Sequence, residues 1–525
     1  MRKSILIILI FISVILAQSE SKIIVGYFTS WSVYGRDYHV SDIPADKVTH
    51  INYAFANIAD GEIVLGDPYA DIDRFYPGDS WDTDSLRGNF HQLILLREDY
   101  PHVRTLISVG GWTWSSQFPE VASTDSTRAR FASSCVDFVT DYSFDGVDID
   151  WEYPGPEDRR NFTLLLAELR RQLDSLEIAE GREYLLTIAA PAGPGRIANI
   201  EVDSIGAYLD WANIMSYDYH GPWGGSGDSL TNFNAALYPS AANPLGEPFR
   251  SYFNQSATVD TLLALGLPRD QIVLGLPFYG RGYASVEGGI SGLYSEYAGP
   301  PSFGTWENGV FDFDDLHASY IGIAGYERFW SEDAFVPWLY NSSTGIMISY
   351  DDTMSIGEKA RYIMAENLAG AMFWEFTCDE DEMLLDKLND VLESGTHIET
   401  GRPALPQTFE ISAHPNPFNA SITINIDYRS ESRSVEQIGS GPAGVGDGSP
   451  VPFDVEIYDV NGRRVSVIPA KAGIQPPQQP AGFPIGVGND IEYIWSPHES
   501  LPSGVYLVRA TIGNSCYETK IMFVK

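Results

Sequence analysis

Hydrophobic and polar positions keep one rhythm from about Ile23 to about Leu392: short apolar runs alternate with stretches of helical periodicity. Apolar runs bounded by turn formers read as buried strands. Eight stand out: Ile23–Phe28, His50–Phe55, Thr105–Trp112, Asp145–Tyr153, Leu185–Ala190, Asn213–Tyr219, Ile272–Gly282 and Gly370–Phe376. Between them, Ser126–Tyr142 carries Phe131, Val136, Phe138 and Val139 at helical spacing, and Asn161–Leu176 carries Leu164, Leu165, Leu169 and Leu173. Gly357–Glu366 reads as a further helix. Strands alternating with helices predict a parallel α/β sheet, and eight of them close naturally into a (β/α)8 TIM barrel. One interval breaks the rhythm. Tyr283 to Ser349 is rich in Gly, Pro and aromatics, with short strand-like runs, and reads as an insertion after strand seven.

The two ends differ from this barrel, taken as residues 20–393. Arg2 and Lys3 precede an apolar run from Ile5 to Leu16, and Ala17-Gln18-Ser19 supplies small residues for cleavage. That is the pattern of a signal peptide over residues 1–19, too short for a comfortable membrane span. Residues 394–405 read as a polar linker. Beyond it, Phe409–Ala413, the alternating Ile422, Ile424 and Ile426, Phe453–Arg463, Ser503–Arg509 and Lys520–Lys525 predict an all-β, Ig-like sandwich over 406–525. Ser430–Pro452 and Pro469–Asn489 interrupt it as Gly/Pro/Ser-rich loops.

The fourth strand carries the chemistry. In Asp145-Gly-Val-Asp-Ile-Asp-Trp-Glu-Tyr153, strand alternation puts Asp148, Asp150 and Glu152 on one side and Val147, Ile149 and Trp151 on the other. Carboxyl-bearing residues about 6–7 Å apart by Cα in a water-poor site cannot all ionise cheaply. At least one therefore keeps its proton near neutral pH, as a general acid must. A calcium loop would place glycines, not β-branched residues and Trp, between the acids.

Length and composition add limits. The chain has 525 residues, room for two to four domains. A net charge of −38 argues against nucleic acid or an anionic membrane as partner. Three distant cysteines, Cys135, Cys378 and Cys516, form no disulfide framework and read as core packing. The histidines do not cluster and no zinc spacing occurs, so neither a metal nor a cofactor is expected. Aromatics at strand tips and the loops after them (Trp31, Trp112, Trp114, Trp223 and Trp374) suit stacking on sugar rings.

Asp145-x-x-Asp148-x-Asp150-x-Glu152 resembles the signature of family 18 glycoside hydrolases, the chitinases and their relatives. Ser108-x-Gly110-Gly111 and Met215-x-Tyr217-Asp218 resemble further family segments in the right order. The resemblance implies an acid/base Glu152, an Asp150 that orients the substrate N-acetyl group, and a supporting Asp148 partnered by Tyr27 and Ser108. It implies that Tyr217 contacts the attacking carbonyl, Asp218 helps hold a distorted ring, Arg281 lies by the non-reducing sugars, and Trp374 is the floor. Phe55, Gly111, Trp112, Tyr153 and Met215 complete the implied binding set. The interval 283–349 resembles the small α+β insertion of one chitinase subfamily, forming a groove wall. The expected partner is chitin or chito-oligosaccharides, acted on by a secreted or surface-attached monomer. Its C-terminal module resembles those that sorting machinery reads on bacterial secreted proteins. An endo-β-N-acetylglucosaminidase shares the acidic motif, and a lectin on a dead barrel would typically have lost the residue at Glu152.

Overall fold

The computed structural model describes residues 22–82, 85–225, 227–287 and 291–394, and beyond these only the backbone of seven strands between 408 and 523. It divides into two units, Met1–Thr396 and His397–Lys525. The expected signal peptide, most of the linker, both Gly/Pro-rich loops and the side chain of Cys516 lie outside the described residues.

Eight strands build the first unit: β1 (Ile23–Thr29), β2 (His50–Ala59), β3 (Arg104–Gly110), β4 (Gly146–Asp150), β5 (Leu185–Ala190), β6 (Trp211–Ile214), β7 (Ile272–Pro277) and β8 (Gly370–Trp374). Each runs parallel to the next, and β8 pairs with β1 from Ile23 opposite Gly370 to Gly26 opposite Phe373. The eight-stranded barrel is therefore closed, as the alternation predicted, and Glu62–Val64 adds a short antiparallel strand to the C-terminal end of β2.

Helices cover the outside. Asp125–Asp141 starts at Thr124, whose hydroxyl accepts the Thr127 N–H at 3.2 Å, and it buries Phe131, Cys135, Phe138 and Val139. Arg159–Glu180 stops where Gly181 turns left-handed at φ 73°, a conformation that favours glycine. Its buried face is Phe162, Leu165, Leu166, Leu169 and Leu173, so the stripe sits slightly around from the predicted one. Leu164 and Val136 are only partly buried. A third helix, Thr353–Ala365, begins earlier than expected because Asp352 caps it, accepting the N–H groups of Met354 and Ser355 at 3.0 and 3.1 Å.

Five predicted strands run past their observed ends: the third, fourth and eighth stop at Gly110, Asp150 and Trp374, and the sixth and seventh fall shortest. The sixth ends at Ile214 rather than Tyr219: the Met215 N–H still reaches the Ala190 carbonyl at 2.9 Å, but Asp218 adopts φ 53° and its N–H bonds the Asn234 side chain at 2.9 Å, which takes Ser216–Tyr219 out of the ladder. The seventh ends at Pro277, which has no N–H to continue the pairing. Tyr279–Tyr283 belongs instead to the insertion, a five-stranded antiparallel sheet in the order 310–312, 279–283, 346–349, 337–341, 327–330. The inserted sheet thus starts at Tyr279, not Tyr283. With the short helical turns at Phe313–Tyr320 it is α+β, as expected.

In the second unit, 408–414, 422–429 and 489–495 form one antiparallel sheet, and 464–468, 453–459, 504–512 and 515–523 another.

Candidate active site

The acidic row lies at the C-terminal mouth of the barrel, where this fold collects function. Asp148 is fully buried, so its position depends on what donates to it. Four strands supply a donor each. Tyr27 on β1 and Ser108 on β3 donate to Oδ2 at 2.8 and 2.7 Å; Thr187 on β5 and Asn213 on β6 donate to Oδ1 at 2.6 and 3.2 Å. Burial pushes this carboxyl above its ordinary range, and the four donors oppose that shift.

Asp150 contrasts with it. Its Oδ1 is buried and has no hydrogen-bond partner among the described residues. Burial first, then the charges of Glu152 and Asp148, raise its pKa well above the carboxylate range. Both causes favour its protonated form. Glu152, two residues past the strand, is partly exposed to the cleft, and burial raises it too, against the pull of Tyr153 and Arg196. Its backbone is fixed by Ser115, whose hydroxyl accepts the Glu152 N–H at 2.8 Å and donates to the Gly111 carbonyl at 2.9 Å. All three carboxyls of the row are thus shifted toward their acid forms, Asp148 against four opposing donors.

Gly110 explains why this motif needs glycine. It sits at φ 108°, and a Cβ there would fall 2.4 Å from the Asp150 carbonyl oxygen. Asp145, first in the motif, serves the opposite end of the strand: it accepts from Arg97 at 2.7 Å and from the Thr105 N–H at 2.9 Å.

A cleft of about 1210 Å³ opens over Asp150 and Glu152. Of the residues expected to bind, Tyr27, Phe55, Trp112, Tyr153, Met215, Tyr217, Asp218, Arg281 and Trp374 line it. Asp148, Ser108 and Gly111 do not; they lie behind the lining. Trp374 makes a floor with Phe55 stacked against it at 5.8 Å and Tyr27 tilted at 5.4 Å. Tyr217 stands edge-on to Tyr279 at 6.2 Å, and burial keeps its hydroxyl protonated well above the usual phenol range. Asp218 receives Arg281 in a two-pronged pair at 2.8 and 2.6 Å, and the guanidinium lies 5.4 Å from the Trp223 ring. All five tryptophans singled out from the sequence line the cleft; Trp31, Trp112 and Trp223 are exposed there.

The sequence reading missed several partners. Thr187 and Asn213 are lone polar residues in apolar strands, a usable signal. Arg196, 3.7 Å over the Tyr153 ring, carries no local signal. Nor does the far wall, where Arg36 pairs with Asp312 and lies 5.1 Å over Trp306. Cys378, expected as plain core, is buried but also lines the cleft, its thiol 3.4 Å from Asp312 Oδ1. Among the described residues no group of His, Cys, Asp and Glu could hold a metal ion, and no helix is long and apolar enough to cross a membrane.

Comparison with known proteins gives concordant matches. The family model described as "Glycosyl hydrolases family 18" matches residues 23–379. Chitinase A1 of Niallia circulans is 43% identical over 433 residues, 74% of this chain and 61% of that protein. Chitinase 1 of Aphanocladium album is 38% identical over 71% of this chain and 84% of its own length. The solved structure of chitinase ChiA74 from Bacillus thuringiensis superposes with a TM-score of 0.68 at 32% identity, covering 96% of this chain and 85% of that one.

Proposed function

The chain belongs to glycosyl hydrolase family 18, and from that premise we propose that it is a secreted chitinase cleaving β-1,4 bonds between N-acetylglucosamine units. Family 18 is an exception to the two-carboxylate scheme of most glycosidases, the substrate itself supplying the nucleophile. In the reading we favour, the 2-acetamido oxygen of the sugar over Trp374 attacks its own anomeric carbon while Glu152 protonates the leaving oxygen. Asp150 accepts a hydrogen bond from the acetamido N–H, which becomes a stronger donor as positive charge develops on the ring formed. Tyr217 donates to the acetamido oxygen. Glu152, now ionised, takes a proton from water as it opens the intermediate, so the β configuration is retained.

The observation that supports this most is the contrast within the acidic row. Asp148 is saturated by four donors. Asp150, in the cleft lining, keeps a buried oxygen without a partner, as a group waiting for an amide would. Two other acidic side chains on the cleft wall are engaged: Asp218 by Arg281 and Asp312 by Arg36. A glycoprotein endo-β-N-acetylglucosaminidase is the nearest rival; the insertion, which contributes Tyr279 and Arg281 from its sheet and Trp306 from a loop to the cleft, favours an extended polymer.

The test is a proton NMR time course on chitohexaose, beside colloidal chitin and a glycoprotein control. The expected result is β-anomer first, no glycoprotein cleavage, and near-complete loss of turnover in a folded Glu152→Gln. Initial α-anomer would overturn the mechanism, and glycoprotein cleavage without chitohexaose turnover would overturn the substrate. We also propose that residues 1–19 direct export and that 406–525 form a β-sandwich for sorting or surface attachment, a reading supported by the two antiparallel sheets there.

A further inference from the structure

The four donors on Asp148 are not chemically equivalent. The hydroxyls of Tyr27, Ser108 and Thr187 can rotate and change from donor to acceptor. Asn213 cannot do so by rotation, because it reaches Asp148 Oδ1 through Nδ2 at 3.2 Å, and an amide NH2 group only donates. What settles which end of the amide faces Asp148 is Trp211. Its indole N–H, also donor only, points at Asn213 Oδ1 at 3.0 Å. A flipped amide would set N–H against N–H and oxygen against carboxylate, with Asn213 fully buried and Trp211 only 4% exposed. Unpaired polar groups at such depth are costly.

Trp211 is itself held in place. It packs inside the barrel with Val25, Leu106, Leu185 and Met372. The His50 imidazole meets its ring edge-on at 4.7 Å, and burial holds His50 neutral, its pKa lowered to about 3. No change of charge at His50 therefore disturbs the indole in the neutral range.

We propose that Trp211 and Asn213 are a positioning pair that locks hydrogen-bond polarity beneath the acidic row: Trp211 fixes the Asn213 amide, and the amide keeps Asp148 ionised however the three hydroxyls turn. Neither residue lines the cleft. The titratable groups facing Asp148 are the Tyr27 hydroxyl from β1 and the Asp150 carboxyl from its own strand, with Glu152 acting through Asp150. Ser108 and Thr187, from β3 and β5, do not titrate. With Asp148 held as the charge, the proton of the row stays on Asp150 and Glu152. The kinetic readout below rests on the chitinase reading; the spectroscopic one does not.

The test uses the full chain with ¹³C-carboxyl aspartate, the Asp148 signal being identified by its loss in Asp148→Asn. Trp211→Phe keeps an aromatic ring in the packing and removes the N–H together with part of the ring volume, which is why Asp148 titration and not melting is the readout. The expected result is that Asp148 titrates about one pH unit higher in Trp211→Phe, the scale of a charge-assisted hydrogen bond. Asn213→Ala should shift it at least as far, and the double variant no further than Asn213→Ala, because Trp211 acts only through the amide. With chitohexaose, the acid limb of kcat should rise by a similar amount in Trp211→Phe, with KM within about twofold. An Asp148 titration in Trp211→Phe indistinguishable from the parent overturns the lock, even if the variant melts lower. So do additive shifts in the double variant.

Discussion

Asp218 gives the most quantitative handle on the cleft. Replacing it with Asn preserves what the backbone asks for, since Asn tolerates the left-handed conformation that Asp218 adopts at φ 53°. What is lost is one arm of the two-pronged pair with Arg281, at 2.8 and 2.6 Å, and the negative charge. The Asn NH2 end would meet a guanidinium N–H, two donors face to face. Hydrogen bonds to charged groups are worth about 1.5–3 kcal/mol net. With side chains 20% and 32% exposed, the lower end of that range applies, about 1.5 kcal/mol, because solvent screens the pair. Because Arg281 borders Trp223 and Tyr279 in the cleft, the loss should appear in catalysis, as about a tenfold drop in kcat/KM. Asp218→Ala adds a backbone cost of about 1 kcal/mol, because Ala does not favour positive φ, so it should melt lower than Asp218→Asn. The assay is initial rates on a chito-oligosaccharide for Asp218→Asn, Arg281→Met and the double variant, with melting curves alongside. Coupling of about 1.5 kcal/mol is expected between the singles. A double variant whose loss equals the sum of the singles would refute the reasoning, as would Asp218→Asn within twofold of the parent.

The parts of this molecule legible in its sequence are those fixed by short-range periodicity. Asp148, Asp150 and Glu152 could be placed together because a strand repeats every two residues and only one face of it can be apolar. The barrel followed from strands and helices that each announce themselves locally. Strand ends did not. Tyr217 and Tyr219 continue the apolar run of β6, yet the ladder stops at Ile214 because Asn234 takes the Asp218 N–H. That competitor lies 16 residues away. Long-range pairs were invisible for the same reason: Arg36 and Asp312 are separated by 276 positions. Thr187 and Asn213 are the instructive cases. A polar residue alone in a buried strand must find a partner inside the barrel, and Asp148, which both residues meet, was already placed there. Pro277 could likewise have marked the end of β7 and given the inserted sheet its true start.

Three further predictions concern stability and domain organisation as well as chemistry. Lys359 donates to both oxygens of Asp351 at 2.6 Å with side chains 0% and 1% exposed; Lys359→Met should destabilise the barrel by about 3–5 kcal/mol, and adding Asp351→Leu should recover most of it. Denaturant unfolding checks this, and a single variant as stable as the parent would contradict it. A chain ending at Glu399 keeps every cleft residue and should retain its rate on soluble oligomers while losing surface attachment, measured by turnover and cell fractionation. The last prediction is a pH dependence that needs no substrate. Asp150 has its pKa raised, by burial first and then by Glu152 and Asp148. Between the unfolded value, about 3.9, and its higher folded value, the folded state therefore binds more protons than the unfolded one. Stability attributable to this group must then fall as pH rises through that window, and stay lower above it. Asp150→Asn removes the penalty. Its melting temperature should match the parent near pH 3.5 and exceed it by a margin that widens toward neutral pH, while turnover collapses. Melting curves from pH 3.5 to 8 decide the matter: a margin that narrows as pH rises would mean that Asp150 is ionised in the resting enzyme, and that the proton of the acidic row sits elsewhere.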